Sequence, residues 1–525
     1  MRSAPQPDPI TAAKPRQRLA VIGGGPAGLT AAYQWAKGGG DVVVLEMSDL
    51  VGGISRTEST NGYRFDIGGH RFFTKVVEVE ALWHEILGDE FIKVPRLSRI
   101  YYRGRYYDYP LKLANAMRNL GAYESVRILL SYVKWQLWPS SEEESFEQWV
   151  QNRFGGRLYW HFFRTYTEKV WGIPCTEIRA DWAAQRIKSL SLSKAVLNAL
   201  LKSKSHGTST LISEFDYPRL GPGQMWEACR DKIVDMGGEV RMNSRVIEVR
   251  HEGAGTVQSL LVESGEGEQY TLEADAFINT MPIGELTRRM TPEAPPEALQ
   301  AAGGLKYRDF LIVALQIEGR DPFPDNWIYI HSPEVKVGRI QNFRSWSRAM
   351  VPSDDASSLG LEYFCHKGDG LWQSDDADLI DLARRELEQL KLFDQDSRVV
   401  DGVVIRQPKA YPVYDTEYRG HLGVLRDYFE RFNNFYTVGR NGMHRYNNQD
   451  HSMLSAMLAI QNLQHGAEHD VWDVNVERSY HEDFQRGERG NGNPRGSNEA
   501  SATTSQPPPA DRSPPPTDSV VARAE

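Results

Sequence analysis

Leu19-Ala20-Val21-Ile22-Gly23-Gly24-Gly25-Pro26-Ala27-Gly28-Leu29-Thr30-Ala31-Ala32, answered by Val42-Val43-Val44-Leu45-Glu46, decides the fold. A short apolar run, a glycine turn, an alanine- and leucine-rich helix and a second apolar run make a β-α-β unit of about 30 residues. Gly23-x-Gly25-x-x-Gly28 lies between strand and helix, where a dinucleotide fingerprint belongs. Gly23 permits the tight turn, Gly25 lets the backbone approach a pyrophosphate, and Gly28 allows close helix–strand packing. The helix N-terminus offers free N–H groups to the phosphates. Glu46, 18 residues after Gly28, is placed to accept hydrogen bonds from ribose hydroxyls.

Outward from this unit the pattern changes twice. From 110 to 205 helical spacing dominates, with Val126, Leu129, Leu130, Val133 and Leu137 on one face. Ser145-Phe146-Glu147-Gln148 has the form of a capping box, and Gly155-Gly156 can end the helix it opens. Strand-like runs return at Glu239–Met242, Val246–Val249, Phe310–Ile317 and Leu361–Phe364. A last strand at Asn434–Val438 runs into Gly439-Arg440 and a long helix from about Ser452. Dinucleotide-type pieces thus occur at the beginning, middle and end of the chain. The ends, to residue 16 and from 487, are too poor in apolar residues to offset their ordering entropy and read as disordered, the second as a Pro-rich tail.

After Glu46 come Val51-Gly52-Gly53-Ile54-Ser55-Arg56-Thr57 and Asp66-Ile67-Gly68-Gly69-His70. A second glycine turn with an arginine resembles the FAD-wrapping segments of the amine oxidase and protoporphyrinogen oxidase superfamily. Phe277-Ile278-Asn279-Thr280-Met281-Pro282 and Gly439-Arg440 resemble its later FAD segments. The resemblance implies FAD, held by Gly23, Gly25, Gly28, Glu46, Gly53, Arg56, Gly69, Arg440 and Ser452. The expected architecture is α/β: a discontinuous Rossmann-type FAD-binding domain (17–95, 220–300 and 400–485), an inserted helical domain (111–205) and an antiparallel β-sheet domain for substrate (300–400).

Further segments are similar to UDP-galactopyranose mutases, nearer their longer eukaryotic-type form. They are Ile100–Pro110, Tyr166-Thr167-Glu168-Lys169-Val170-Trp171-Gly172, Gln185-Arg186-Ile187, Ala410-Tyr411-Pro412 and Arg445–Ser452. That family contracts UDP-galactopyranose to UDP-galactofuranose through a flavin N5–sugar adduct on reduced FAD, without net redox change. The resemblance implies Arg186 and Arg339 as a diphosphate-binding pair, suited by planar guanidinium forks. It implies Tyr329, Tyr411 and Tyr446 as phosphate-contacting hydroxyls, Trp171 beside them, Asn448 near flavin and sugar, and His70 as a mobile histidine over the flavin. The bland alternatives are surface arginines, packing tyrosines and a structural histidine. The helix near Ser452 would aim its N-terminal dipole at the flavin and favour the anionic reduced form. One departure stands out: Trp346 occupies the place of a family tyrosine seven residues after Arg339. The reductant is open, with NAD(P)H the candidate, and so are the nucleotide, the sugar and the oligomeric state.

Composition excludes several other classes. The chain has 525 residues and a net charge of −9, so nucleic acid is not an expected partner. Three scattered cysteines exclude a disulfide scaffold and a thiolate metal site, and no metal is expected. No uncharged apolar run approaches the about 20 residues of a membrane-spanning helix, and the N-terminus lacks a signal-peptide core, so a cytoplasmic protein is expected. Two other readings remain open. One is an FAD-dependent oxidase or desaturase of the amine oxidase or protoporphyrinogen oxidase type, which calls for an apolar or aromatic cage. The other is a flavin-binding protein without catalysis.

Overall fold

The structure is a computed structural model that describes residues 17–180, 213–253, 255–392 and 397–474. Five parallel strands form one sheet in the spatial order Phe435–Thr437, Ala276–Asn279, Arg18–Ile22, Asp41–Leu45, Glu239–Arg241. Leu19, Ala20, Val21, Val44, Phe277 and Ile278 are fully buried, because helices cover this sheet as parallel sheets require. Helix Pro26–Lys37 packs against helices Gln449–His465 and Pro222–Asp235. Strands from three distant parts of the chain therefore hydrogen-bond side by side.

A second, seven-stranded sheet runs in the order Arg398–Pro412, Tyr307–Glu318, Ala356–Cys365, Arg339–Asn342, Trp327–Ile330, Ser98–Tyr102, Arg105–Asp108. It is antiparallel except where Trp327–Ile330 runs parallel to Ser98–Tyr102. The strand Tyr307–Glu318 shows the period of two directly. Leu311, Val313, Leu315 and Ile317 enter one core cluster, while Phe310, Ile312 and Ala314 enter another on the opposite face. The sequence expectation for 300–400 was too narrow here. Arg398–Pro412, assigned to the FAD segment from 400, pairs instead with Tyr307–Glu318, and residues 98–108 supply the other edge.

Between these sheets in sequence lie helices Leu113–Leu120, Ala122–Leu137, Phe146–Phe154 and Thr165–Trp171. The capping box forms as read: Ser145 accepts from the Gln148 N–H while the Gln148 side chain accepts from the Ser145 N–H. Gly155, at φ 81°, ends that helix, and Gly156 opens the next turn. The apolar face of Ala122–Leu137 departs from expectation. Ser125 and Ile128 turn inward, whereas Val126, Leu130, Val133 and Leu137 are more than half exposed. Arg186 and the rest of 181–205, both chain ends, and the Pro-rich tail lie outside the described residues.

Candidate active site

The dinucleotide cradle is set by close backbone packing. Gly23 has φ 100°, and a Cβ there would lie 2.2 Å from Thr280 Oγ1. A Cβ on Gly28 would lie 1.9 Å from the Gly23 carbonyl oxygen. Gly25 differs: its φ is −81°, and its Cβ would meet no protein atom closer than 3.8 Å. Space left beside Gly25, at a helix N-terminus with no side-chain cap, fits a pyrophosphate rather than the protein's own packing. Glu46 is buried, accepting from the Gly24 N–H at 2.6 Å and from Ser48 N–H and Oγ–H at 2.9 and 2.7 Å. These bonds fix the carboxylate at the end of its strand beside the cradle.

The second glycine turn is tied to the first by Gly52 N–H donating to the Gly24 carbonyl at 2.8 Å. Gly53 takes φ 55°, and its Cα faces Gly25. Arg56 donates to Gly53 O at 3.0 Å, Glu58 Oε1 at 2.7 Å and Gln407 Oε1 at 3.2 Å, so it braces this turn against the strand Arg398–Pro412. At the other end, Gln449–His465 begins three residues before Ser452, with Asn448 as its N-cap and no side-chain cap bond. Ser452 is buried in the first turn, its N–H donating to Asn448 O. Its role in orienting this helix end is through the backbone.

Arg440 donates Nε to Ala410 O at 2.8 Å and Nη1 to Asn447 O at 3.1 Å. Its guanidinium stands 4.1 Å over the Tyr446 ring and 5.0 Å from that of Tyr411. Tyr411 and Tyr446 are themselves stacked, 5.6 Å apart at 22°. Trp171, brought in by the C-terminus of Thr165–Trp171, is 6.4 Å from each. On the facing side, Tyr329 packs edge-on to Tyr166 at 5.5 Å, and Tyr166 stacks on His331 at 4.8 Å. Tyr329 sits opposite Arg339 in the strand register.

The walls meet at Gly68, which has φ 91°. A Cβ there would lie 3.7 Å from Arg339 Nη2, 3.8 Å from Glu362 Oε1 and 4.0 Å from His70 Nε2. Arg339 is not a lone cation. Its Nε and Nη2 lie 2.6 and 2.5 Å from Glu362 Oε2, and Gln341 Nε2 donates to Glu362 Oε1 at 2.8 Å. Glu362 is completely buried. One edge of the guanidinium is committed to a carboxylate, and Nη1 has no hydrogen-bond partner among the described residues.

His70 Nε2 lies 2.9 Å from the Ile67 carbonyl, so that nitrogen carries the proton, and Nδ1 accepts from Ser55 Oγ at 3.4 Å. Burial lowers the imidazole to about 4, and the nearby charges of Arg440 and Arg339 act in the same direction. His70 is therefore neutral at pH 7. Lys169, from the Thr167–Gly172 segment, donates to the carbonyls of Ser332, Val337 and Ile330 at 2.7, 3.1 and 3.4 Å. It anchors the helix bearing Trp171 to the loop after Tyr329. Trp346 is buried, stacked 5.4 Å from Trp327 and donating to Asn326 O at 2.9 Å. Packing accounts for it.

The structure thus gathers His70, Gly69, Arg339, Tyr329, Tyr411, Tyr446, Trp171 and Arg440 into one region, with Asn448 at the adjoining helix start. Sequence reasoning missed Glu362 and Gln341, and gave Tyr166, within its family segment, no role at the site. Glu362 lies inside Ala356–Cys365, a run of ten buried residues, where a single acid leaves no local signal in the sequence.

Residues 26–414 match the family model described as "Flavin containing amine oxidoreductase", a span covering more than half of the chain. The chain belongs to this family. Membership makes it a flavoenzyme, and the cradle around Gly25 fits the FAD that membership implies. Among curated relatives, the Arabidopsis thaliana 15-cis-phytoene desaturase is 26% identical over 312 residues, 56% of this chain and 51% of that protein. The Crotalus adamanteus L-amino-acid oxidase is 24% identical over 326 residues, 57% of each chain. The chain spans about half the length of the curated relatives it matches. A solved structure of reduced UDP-galactopyranose mutase superposes with a TM-score of 0.75 at 22% identity, covering 88% of this chain and 99% of that one. The likeness to that mutase is one of fold. Among the described residues, no helix is long and apolar enough to cross a membrane.

Proposed function

We propose that this flavoenzyme isomerises a nucleotide sugar, of the UDP-galactopyranose to UDP-galactofuranose type, with FAD in the reduced state. The observation that carries the reading is the grouping of Arg339 and His70 at Gly68 with Tyr329, opposite Arg339 in the strand register, and with Tyr411 and Tyr446, stacked beside Arg440. Three phenol groups and one arginine edge are a donor-rich lining that an amine or a polyene does not need. In this reading the tyrosine hydroxyls and Arg339 Nη1 donate to the diphosphate, with Arg186 its second arginine. Reduced FAD, when bound, supplies the nucleophile for the sugar's anomeric carbon.

The chain's own residues set the conditions. Glu362 holds the guanidinium plane fixed, so that its open edge is presented without a search through rotamers. Trp171 and the stacked Tyr411–Tyr446 pair form an aromatic wall that keeps water from the reacting sugar. Neutral His70 keeps its proton on Nε2, directed at the Ile67 carbonyl; its Nδ1 is the atom able to accept one. In this reading Asn448, the N-cap of Gln449–His465, and the helix dipole would both act on the flavin.

A second reading, an oxidase or desaturase, is favoured by one observation. Glu362 neutralises Arg339, leaving less net charge for a diphosphate than a free arginine would. Incubating dithionite-reduced protein with UDP-galactose under nitrogen, and assaying for the furanose isomer, separates the two. NAD(P)H as reductant is tested by anaerobic bleaching of the flavin absorbance.

A further inference from the structure

The helix Ala122–Leu137 carries a row of large apolar side chains in water. Tyr123 is 76% exposed, Val126 56%, Leu130 65%, Val133 51% and Leu137 62%, with Trp138 at 70% just past the helix end. Their spacing of three and four residues aligns them in one stripe, about 21 Å long at 1.5 Å per residue. A contiguous exposed apolar row of this kind marks an interaction surface.

The surroundings of the row are cationic. Residues 103–180 hold eleven basic and eight acidic residues, a net of +3 in a chain whose net charge is −9, with the exposed Glu142, Glu143 and Glu144 following just past Trp138. The two acids between Arg103 and Trp138 are engaged. Glu124 lies under Arg157 and His161, accepting at 3.0 Å from Arg157 Nη2 and lying 2.9 Å from His161 Nε2. Asp108 is 3.5 Å from Lys112. Arg118 and Lys134 have no carboxylate partner among the described residues.

We propose that this face docks on an anionic lipid surface, the helix lying flat with its apolar row in the headgroup boundary. Tyr123 and Trp138 terminate the row with amphipathic rings of the kind that settle at that depth. Arg118 and Lys134 supply the charge attraction to acidic headgroups, whereas Arg127 lies 3.5 Å from Glu124. A second copy of the chain is a poorer partner. Arg127 and Lys134 follow Val126 and Val133 along the same edge of the row. Antiparallel pairing of two copies would set these cations against each other, and parallel pairing would set them against Leu129 and Gln136.

The test uses the full-length protein with FAD bound, co-sedimented with vesicles of phosphatidylcholine and phosphatidylglycerol at 3:1, and with pure phosphatidylcholine. The expected result is binding to the anionic vesicles that falls at least tenfold on pure phosphatidylcholine or in 0.5 M salt. Leu130→Ser/Leu137→Ser and Arg118→Glu/Lys134→Glu should each lose at least tenfold while keeping wild-type flavin absorbance and thermal midpoint. The proposal is overturned if the wild type stays in the supernatant or if both variants bind as it does. It is equally overturned if sedimentation shows a dimer that the serine variant dissociates, which would make the row an interface between copies.

Discussion

Replacing Glu362 with glutamine keeps its shape but leaves the Arg339 guanidinium buried without a counter-charge. Breaking a buried pair from one side costs about 3–5 kcal/mol, so urea unfolding of Glu362→Gln should show a loss near the lower figure. Replacing both partners, as Arg339→Met/Glu362→Leu, should cost far less, since no charge is stranded. A loss for the double variant as large as for the single one would mean that the pair contributes through shape alone. His70 gives a second prediction. Its value in the folded protein, about 4, lies below the ordinary 6.5, so it stays neutral from pH 6 to 9. His70→Gln should therefore leave the shape of the activity–pH profile in that range unchanged, whatever it does to the rate. The linkage also has a sign: a buried neutral histidine disfavours folding as pH falls from 6.5 toward 4, and His70→Gln removes that part of the acid lability. Glu362 went unread in the sequence because a single acid in an apolar strand has no local signature. Its partner lies 23 positions away in sequence and is brought beside it only by strand pairing.

Elements built on local chemistry were legible. The first β-α-β unit, the capping box at Ser145 and the helix after Arg440 follow from short-range rules, and each forms within a few residues of its expected place. The three glycines of the first turn can be separated by experiment. Gly28→Val places atoms on the Gly23 carbonyl and should fail to fold. A Cβ at Gly25 would meet no protein atom closer than 3.8 Å, so Gly25→Val should fold yet purify without flavin. Circular dichroism and flavin absorbance read the two outcomes, and a yellow Gly25→Val protein would contradict the assigned cradle. Ser145→Ala removes the cap from Phe146–Phe154 and should cost about 1 kcal/mol in the same urea assay. The helix Ala122–Leu137 shows the limit of periodicity. Spacing identifies an apolar face, but what covers that face is a tertiary fact, and here the described residues leave it open to solvent.

At the scale of the molecule, the scatter of glycine-rich and β-branched segments already implied that one sheet gathers distant strands. Membership of the other sheet was not legible. Arg398–Pro412 joins it through pairings 80 to 105 residues apart and Ser98–Tyr102 through pairings 229 apart, and nothing in either segment names its neighbour. The candidate site lies where the two sheets contribute jointly: Gly68–His70 and Arg440 come from the cradle side, Arg339, Tyr329 and Tyr411 from the seven-stranded sheet. That junction brings phenols and a braced arginine together, and the proposal of a nucleotide-sugar mutase rather than an oxidase rests on it. The most direct measurement compares one preparation in two redox states. Dithionite-reduced protein under nitrogen should convert UDP-galactopyranose to its furanose isomer, and the oxidised protein should not. Failure of the reduced protein to bind or convert UDP-galactose, together with stoichiometric peroxide release from an amine or porphyrinogen in air, would contradict the account.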